Sequence, residues 1–295
     1  MLTKIQFDIL SAIERKGKQT QRALSQLSGA SLGTVNKAIS ELSELGYIKD
    51  GGITEKGIEA LEPYRVKRAI FIAAGFGSRL APITLNTPKP LVRVKGKRII
   101  DSLLDAVIAA GIEEIYLVRG YLYEQFDQLL YKYPNIKFID NHSYNEANNI
   151  SSVMCAKELL ENTYILEADL LLYNPELITR YQYSTNYLGV PVKVTDDWCF
   201  KTKSGVITEL LVGGTDCHHM YGISYWNAED GKRLAGHVEK VFNSPGGKER
   251  YWDQVALHHY PSEYKISVRE CTFDDIVEID TYRELVALDE SYRTV

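Results

Sequence analysis

The stretch that most constrains the fold is Arg68 to Leu91, with the sequence RAIFIAAGFGSRLAPITLNTPKPL. Its apolar start, Ala69 to Ala73, predicts a strand that is buried on both faces, and a loop with two glycines follows directly. Parallel sheets bind ligands at the carboxyl ends of their strands. Gly75 and Gly77 let backbone N–H groups approach an anion closely. The segment therefore predicts an anion-binding loop at the edge of a parallel sheet.

Two cations accompany this loop. Arg79 offers a planar guanidinium that can bind two phosphate oxygens, and Lys89 stands between Pro88 and Pro90 on a stiff segment. Leu80 replaces the third glycine of a dinucleotide fingerprint, and the loop lacks the Gly-Lys-Ser/Thr of a P-loop. An ordinary tight turn with a surface arginine is the alternative. The order Gly-x-Gly-x-Arg and then Pro-Lys-Pro resembles the signature of nucleotidyltransferases, which implies a nucleoside triphosphate site.

Composition sets the class of protein. The 295 residues are 45% hydrophobic and 25% charged with a net charge of −5, which is typical of a soluble chain with one large and one small domain. No apolar run approaches the roughly 20 residues that span a bilayer, and the N-terminus is unlike a signal peptide. We therefore expect a cytoplasmic protein without a membrane partner. The sequence does not predict its oligomeric state.

A domain boundary is expected near residue 65, where Pro63 ends a short helix before the first strand. Residues 1–65 contain the helix caps, the turn at Gly29 and the hairpin tip at residues 51–52 that are typical of a winged helix-turn-helix domain. They resemble the winged-helix domains of bacterial transcription regulators. Residues 66–295 form the second predicted domain.

The third helix of such a domain reads the major groove with its exposed face. In this chain the possible DNA-binding residues are Ser31, Thr34, Asn36 and Lys37. Residues 1–66 hold nine Lys or Arg and eight Asp or Glu, so the positive field that supports most DNA binding is weak. DNA binding and a role in dimerisation or docking are both open at this point.

Helical and strand periods alternate beyond the loop. Helices are predicted at residues 99–110, 124–131 and 150–160, and strands at residues 114–118, 136–139 and 164–168. From about Tyr187 strands and turns dominate until a helix near residues 230–241. The predicted fold class is α/β, a Rossmann-like doubly wound mixed sheet preceded by the small winged-helix domain.

Two aspartates stand at predicted strand ends. Asp169 follows Tyr164–Ala168, and Asp280 follows Ile276–Ile279 just before a predicted helix at residues 282–288. A triphosphate needs a divalent cation, and Mg²⁺ is held by one or two carboxylates together with phosphate oxygens. The alternative is that each aspartate caps the next turn or helix. In a chain with a triphosphate loop, the pair favours a magnesium site.

Aromatic and acidic residues cluster at two places, Asp196-Asp197-Trp198 and Arg250-Tyr251-Trp252-Asp253. Ring faces beside carboxylates can enclose a quaternary ammonium, because cation–π attraction reaches about 2 kcal/mol when the cation is desolvated. The alternative is ordinary core packing of these rings.

Residues 67–290 resemble the bacterial CTP:phosphocholine cytidylyltransferases, within the sugar-nucleotide pyrophosphorylase superfamily. The matching pieces, in order, are IFIAAGFGSRL, NTPKPLV, Gly120-Tyr121, YNEANNISSV, LEADLLL, YGISYWNA, YWD and VEID. Glu167 and Leu170 depart from the usual Asp-Ala-Asp-Asn of that family, and Lys97-Arg98-Ile99 departs from its usual Lys-Pro-Leu.

This resemblance implies site residues of three kinds. Those implied for CTP are Ala73, Ala74, Gly75, Gly77, Ser78, Arg79, Lys89, Gly120 and Tyr121. Those implied for magnesium are Asp169 and Asp280, which with Arg79 and Lys89 form the catalytic set. Those implied for the choline group are Trp198, Tyr251, Trp252, Asp253 and Glu278.

The resemblance also implies an activity, the magnesium-dependent transfer of CMP from CTP to phosphocholine, which yields CDP-choline and pyrophosphate. Two alternatives stay open. The acceptor could be a sugar-1-phosphate or another phosphoalcohol, or the chain could be a transcription regulator that senses a metabolite through its nucleotidyltransferase-like domain.

Overall fold

The computed structural model describes residues 1–294, which form two compact units. The first contains residues 1–65 together with the tripeptide Tyr181–Tyr183, and the second contains residues 66–180 and the chain from Ser184 onward. None of the helices in the described chain combines the length and the apolar character that crossing a membrane requires.

The first unit is a helical core with a small hairpin. Its elements are α1 (Lys4–Lys16), α2 (Gln21–Ser28), α3 (Leu32–Glu44), β1 (Ile48–Lys49), β2 (Gly52–Ile53) and α4 (Glu55–Leu61). The side chains of Thr20 and Ser31 accept backbone N–H bonds at the starts of α2 and α3, as their positions predict. Gly29 turns the chain between these helices at a φ of +67°, which strains other residues.

The tripeptide Tyr181–Tyr183 packs in the core of the first unit. The ring of Tyr183 stacks on that of Tyr64 with 5.5 Å between centroids, and Tyr181 is buried. The backbone N–H of Gln182 donates to the carbonyl of Tyr64 at 2.9 Å, and the Tyr183 hydroxyl donates to the carbonyl of Leu2 at 3.3 Å. A segment from the predicted range of the second domain therefore completes the first unit.

The second unit is built on a seven-stranded mixed sheet with helices, and two separate strand pairs, β4 with β5 and β9 with β13, accompany this sheet. The strands of the whole unit are β3 (Arg68–Ala73), β4 (Arg93–Val94), β5 (Lys97–Arg98), β6 (Glu114–Arg119), β7 (Ile136–Asp140), β8 (Thr163–Glu167), β9 (Leu170–Leu172), β10 (Asn186–Lys203), β11 (Val206–Trp226), β12 (Ser267–Glu270) and β13 (Ile276–Glu278). Its helices are α5 (Ile99–Ala109), α6 (Ile150–Cys155), α7 (Ala228–Phe242) and α8 (Tyr282–Leu288). The strand order is β10-β12-β11-β8-β3-β6-β7, and β3 is parallel to both β6 and β8.

Strand β3 lies between two hydrophobic layers. Phe71 belongs to the core cluster that contains Leu103 of α5, whereas Ile70 belongs to the cluster that contains Val153 of α6 and Leu234 of α7. Because successive side chains of a strand point to opposite faces, this one strand contributes side chains to both layers. Helices therefore cover both sides of the sheet, and the predicted α/β fold with a mixed sheet is confirmed.

Three local predictions need correction. Residues 123–131 form a 3₁₀ helix, and the helix predicted at residues 150–160 ends at Cys155, followed by a 3₁₀ turn at residues 157–159. Apolar spacing along the third helix predicts that Leu45 points inward, but α3 ends at Glu44 and Leu45 is 44% exposed. Hydrophobic spacing places these segments but does not distinguish their helix type or their last turn.

Candidate active site

The glycine loop follows β3 directly and turns at Gly77. Gly77 has a φ of +62°, and a Cβ atom on it would lie 2.8 Å from the Cβ of Lys89. The hydroxyl of Thr84 donates to the Gly77 carbonyl at 2.9 Å. Glycine is thus required at 77 both by its backbone conformation and by the close approach of Lys89, whereas Gly75 has open space around it.

Lys89 joins the two predicted strand-end aspartates. Its Nζ lies 2.7 Å from Oδ2 of Asp169 and 2.9 Å from Oδ1 of Asp280, and Nη2 of Arg79 lies 2.8 Å from the same Asp280 oxygen. Burial alone would lower the pKa of Lys89, but the two aspartates raise it above its usual value. Burial alone would raise the pKa of Asp280, but the charges of Lys89 and Arg79 lower it below its usual value. All four predicted catalytic side chains therefore meet in one ion-paired cluster.

A cavity of about 590 Å³ opens beside this cluster. Its lining includes, from the predicted sites, Ala73, Gly75, Gly77, Ser78, Arg79, Lys89, Asp169, Trp198, Tyr251, Asp253, Glu278 and Asp280. It also includes Asp197, from the predicted aromatic and acidic cluster, and Asn149, Glu167 and Gly222, which the sequence did not assign to a site. The carboxyl ends of β3 and β8 face this cavity, as expected for a parallel sheet.

Three carboxylates in the cavity have the spacing of a cation site. Ligand oxygens of Glu167, Asp169 and Glu278 lie within 4.8 Å of one another. The buried Oδ1 atom of Asp169 has no hydrogen-bond partner among residues 1–294. Burial, followed by the charge of neighbouring carboxylates, raises the pKa of both glutamates. A divalent cation fits this donor set, because hard cations prefer oxygen ligands and would offset the clustered negative charge.

Sequence reasoning missed Glu167 as a site residue. The signal was available, since Glu167 and Asp169 are two residues apart at the predicted end of a strand, and side chains at that spacing along an extended chain point to the same side. Asp280, the other predicted magnesium ligand, instead accepts hydrogen bonds from Lys89 and Arg79.

The predicted aromatic group is split between the cavity and the core. The rings of Trp198 and Tyr251 meet edge to face with 5.4 Å between centroids, and both line the cavity. Trp252 is only 1% exposed and packs against Tyr187 at 5.9 Å and Trp226 at 6.1 Å between centroids. The prediction that Trp252 lines the acceptor site is therefore wrong, because this ring belongs to the core.

Asp253 reaches the cavity from a buried position. It is 5% exposed, and the hydroxyl of Tyr187 donates to its Oδ1 at 2.8 Å. Burial raises the pKa of Asp253 to about 7, although the bond from Tyr187 acts in the opposite direction. This carboxylate therefore changes charge near neutral pH at the wall of the cavity.

A second cavity of about 500 Å³ adjoins the first and shares Ile72, Gly75 and Asn149 with it. Ala74 and Phe76 also line this second cavity. Gly120 and Tyr121, predicted to contact the nucleotide, line neither cavity.

The structure gives Gly120 and Tyr121 a supporting place. A Cβ atom on Gly120 would lie 2.6 Å from the Cβ of Tyr144, so the tyrosine fills the space above it. The backbone N–H of Tyr121 donates to the carbonyl of Ala74 at 3.0 Å, and its hydroxyl donates to the carbonyl of Thr84 at 3.0 Å. Tyr121 therefore stabilises the glycine loop through hydrogen bonds to residues on either side of it.

The predicted DNA-contacting residues are all exposed at the start of α3. Ser31 caps the helix, and its hydroxyl hydrogen-bonds with that of Thr34 at 2.9 Å. Asn36 and Lys37 follow on the next turn.

Comparison with known proteins follows the division of the chain. A model of the winged helix-turn-helix DNA-binding family matches residues 2–49, and one of the nucleotidyl transferase family matches residues 68–187. The chain is 38% identical over 228 residues to a 2-aminoethylphosphonate cytidylyltransferase from Lancefieldella rimae, which covers 76% of this chain and 92% of the relative. The chain belongs to the cytidylyltransferases of the nucleotidyl transferase family.

Two further comparisons extend this result. The chain is also 30% identical over 224 residues to the choline-phosphate cytidylyltransferase of Streptococcus pneumoniae. This match covers 76% of this chain and 97% of the relative. A structure of CTP:phosphocholine cytidylyltransferase from that species has a TM-score of 0.71 at 30% identity, over 77% of this chain and 99% of the other. The resemblance predicted from the sequence is confirmed, and these relatives differ in the acceptor that their names specify.

Proposed function

We propose that the protein transfers CMP from CTP to a short phosphate or phosphonate that carries a positively charged nitrogen, with release of pyrophosphate. Phosphocholine, the acceptor implied by the sequence, and 2-aminoethylphosphonate both belong to this class. The observation that supports the proposal is one cavity whose lining combines two cations with aromatic rings and carboxylates. Arg79 and Lys89 are the cations, which are proposed to bind phosphate, and Trp198, Tyr251 and Asp253 are proposed to contact the nitrogen of the acceptor.

The reaction needs little covalent help from the protein. An anionic oxygen of the acceptor attacks the α-phosphorus of CTP, the bond to the β-phosphate oxygen breaks, and pyrophosphate leaves with the electron pair. The nucleophile is already negative near neutral pH, so the protein has to position the two anions and offset their repulsion. Lys89 and Arg79 are the candidates for stabilising charge on the phosphates, and Asp169 and Asp280 hold these cations in place.

Magnesium fits this proposal as a cofactor. Asp169 carries the unpartnered buried oxygen, with Glu278 within ligand distance and Asp280 across Lys89. When bound there, the ion would neutralise part of the negative charge that two phosphate groups bring together. The second cavity, with Ala74 and Gly75, is the proposed place of the nucleoside.

A sugar-1-phosphate fits this cavity less well. A sugar site needs several neutral hydrogen-bonding groups, whereas the groups proposed to contact the acceptor are carboxylates and two rings with centroids 5.4 Å apart. The proposed function is tested by measuring pyrophosphate release from CTP and Mg²⁺ with phosphocholine, 2-aminoethylphosphonate, phosphoethanolamine or glucose-1-phosphate. Turnover with the cationic acceptors is expected, and turnover with glucose-1-phosphate alone would contradict the proposed acceptor class.

We also propose that the first unit binds DNA, because its family match and the exposed side chains of Asn36 and Lys37 favour this role. Binding of the full chain to genomic DNA fragments should weaken steeply with salt. An Asn36→Ala, Lys37→Ala variant should lose most of this binding while CMP transfer is unchanged. Salt-independent or unaltered binding would instead favour a docking role.

A further inference from the structure

Gly222 makes room for the side chain of Glu167. A Cβ atom on Gly222 would lie 2.3 Å from Oε2 and 2.6 Å from Cγ of Glu167, which is closer than real Cβ atoms approach. Leu166 pairs with Ile223 across β8 and β11, so the glycine and the glutamate are neighbours in the sheet. Both line the cavity. The glycine therefore leaves the space that the glutamate side chain occupies at the end of β8.

Glu167 shares its wall of the cavity with Asp253. Their hydrogen-bond donors are neutral, since Nδ2 of Asn149 donates to Oε1 of Glu167 at 3.4 Å and Tyr187 donates to Asp253. The neighbouring cation, Lys89, is bound by two other carboxylates. Two largely buried carboxylates with neutral donors are costly to keep charged, so a cationic ligand at this wall gains from both.

The rings around this wall are too few to enclose a trimethylated nitrogen. Trp198 and Tyr251, which contact each other edge to face, line the cavity, and Trp252 is in the core. A trimethylammonium has no N–H to donate and depends on ring faces. A primary ammonium has three N–H donors, which carboxylate oxygens accept well.

We infer that Glu167 and Asp253 bind the nitrogen of the acceptor and select a primary ammonium over a trimethylammonium, with Gly222 positioning Glu167. This inference rests on the proposed function, because it concerns the acceptor of that same reaction. It predicts that aminoethyl phosphates and phosphonates are better substrates than phosphocholine.

The test compares acceptors that differ in three methyl groups alone. Values of kcat/KM are measured at saturating CTP for phosphoethanolamine and phosphocholine, and for 2-aminoethylphosphonate and its N-trimethyl derivative. The wild-type protein should prefer the primary amine by about 10-fold or more, because a site built to accept hydrogen bonds rejects a ligand that cannot donate them. Glu167→Asp and Glu167→Gln should both reduce this preference, with the KM for CTP unchanged. Because a carboxylate oxygen of Glu167 also lies within 4.8 Å of those of Asp169 and Glu278, the Mg²⁺ dependence is measured in the same variants, and the inference requires that it stays as in the wild-type protein.

Gly222→Ala supplies a second, independent variant. Its methyl group should displace the Glu167 carboxylate and reduce the same preference. Adding Glu167→Ala to it removes the side-chain atoms that the methyl group would meet, so the double variant should behave like Glu167→Ala alone. Gly236→Ala, where the structure has open space and ordinary backbone, is the matched control.

Three results would overturn the inference. One is a wild-type preference for the trimethylated acceptor, and another is an equal loss with both acceptors in Glu167→Asp. The third is a higher Mg²⁺ requirement in that variant, which would make Glu167 a metal ligand instead. Absence of pyrophosphate release from the wild-type protein with all acceptors would remove the proposed function itself, and the inference with it.

Discussion

Nζ of Lys89 donates a 2.7 Å hydrogen bond to Oδ2 of Asp169, although 80 positions separate them in the chain. The two residues arrive from different strands, since Asp169 follows β8 and Lys89 follows the glycine loop after β3. The ion pair is largely buried, because only 9% of the lysine side chain is exposed. The glycine loop and the strand-end carboxylates are therefore parts of one cluster.

Replacing Lys89 by Ala should lower kcat for CMP transfer by about 10²-fold or more, the usual cost of losing one charge contact to the transition state. Steady-state pyrophosphate release measures it, with circular dichroism to confirm the fold. Lys203→Ala, at an exposed position, is the control. Unchanged turnover in Lys89→Ala would remove this residue from the catalytic set.

The two loop glycines should respond differently to alanine. Gly77→Ala should lower the free energy of unfolding by at least about 1–2 kcal/mol, because its backbone is left-handed and its Cβ would meet Lys89. Gly75→Ala should melt like the wild-type protein but raise the KM for CTP, because its Cβ would project into the proposed phosphate site. Thermal melts and kinetics separate the two effects. Equal melting temperatures for both variants would contradict the account of Gly77.

The pH dependence should report on Asp253. Burial raises its pKa to about 7, so this carboxyl is mostly neutral at lower pH and charged at higher pH. A cationic acceptor binds the charged form better, so kcat/KM for the acceptor should increase as the pH rises through about 7. Tyr187→Phe removes a hydrogen bond that lowers this pKa, and the increase should move to higher pH. Because the acceptor's own titration is common to both proteins, superimposable profiles would exclude Asp253 from acceptor binding.

The first unit should depend on the tripeptide Tyr181–Tyr183. A fragment of residues 1–65 lacks the ring that stacks on Tyr64 and the backbone bond from Gln182. It should therefore melt at a lower temperature than the same unit in the full chain. Tyr183→Ala in the full chain should destabilise this unit by about 2 kcal/mol, as expected for removing a packed aromatic ring. Tyr131→Ala, with a 95% exposed ring, is the control, and equal stability of both variants would contradict this prediction.

Local signals in the sequence predicted much of the fold. Thr20 and Ser31 cap the helices that they precede, and the helix predicted at residues 282–288 has those bounds. Helix caps, apolar spacing and glycine turns depend on residues that are close together in the chain, so the sequence alone predicts them. The glycine loop and its lysine were predicted for the same reason, because they form one short motif.

Contacts between residues that are far apart in the chain could not be predicted in this way. Trp252 and Tyr251 are adjacent, and only the burial of Trp252 and its packing on Tyr187 show which ring enters the core. Nothing in the local pattern of Tyr183 indicates that it stacks on Tyr64. The role inferred for Glu167 likewise depends on Gly222, which lies on another strand.

The central claim is tested most directly by giving the full chain CTP, Mg²⁺ and an equimolar mixture of 2-aminoethylphosphonate, phosphocholine and glucose-1-phosphate, and identifying the products by mass spectrometry. The account predicts pyrophosphate and CMP adducts of the nitrogen-containing acceptors, with the primary amine ahead. An adduct of glucose-1-phosphate alone, or no adduct at all, would contradict it.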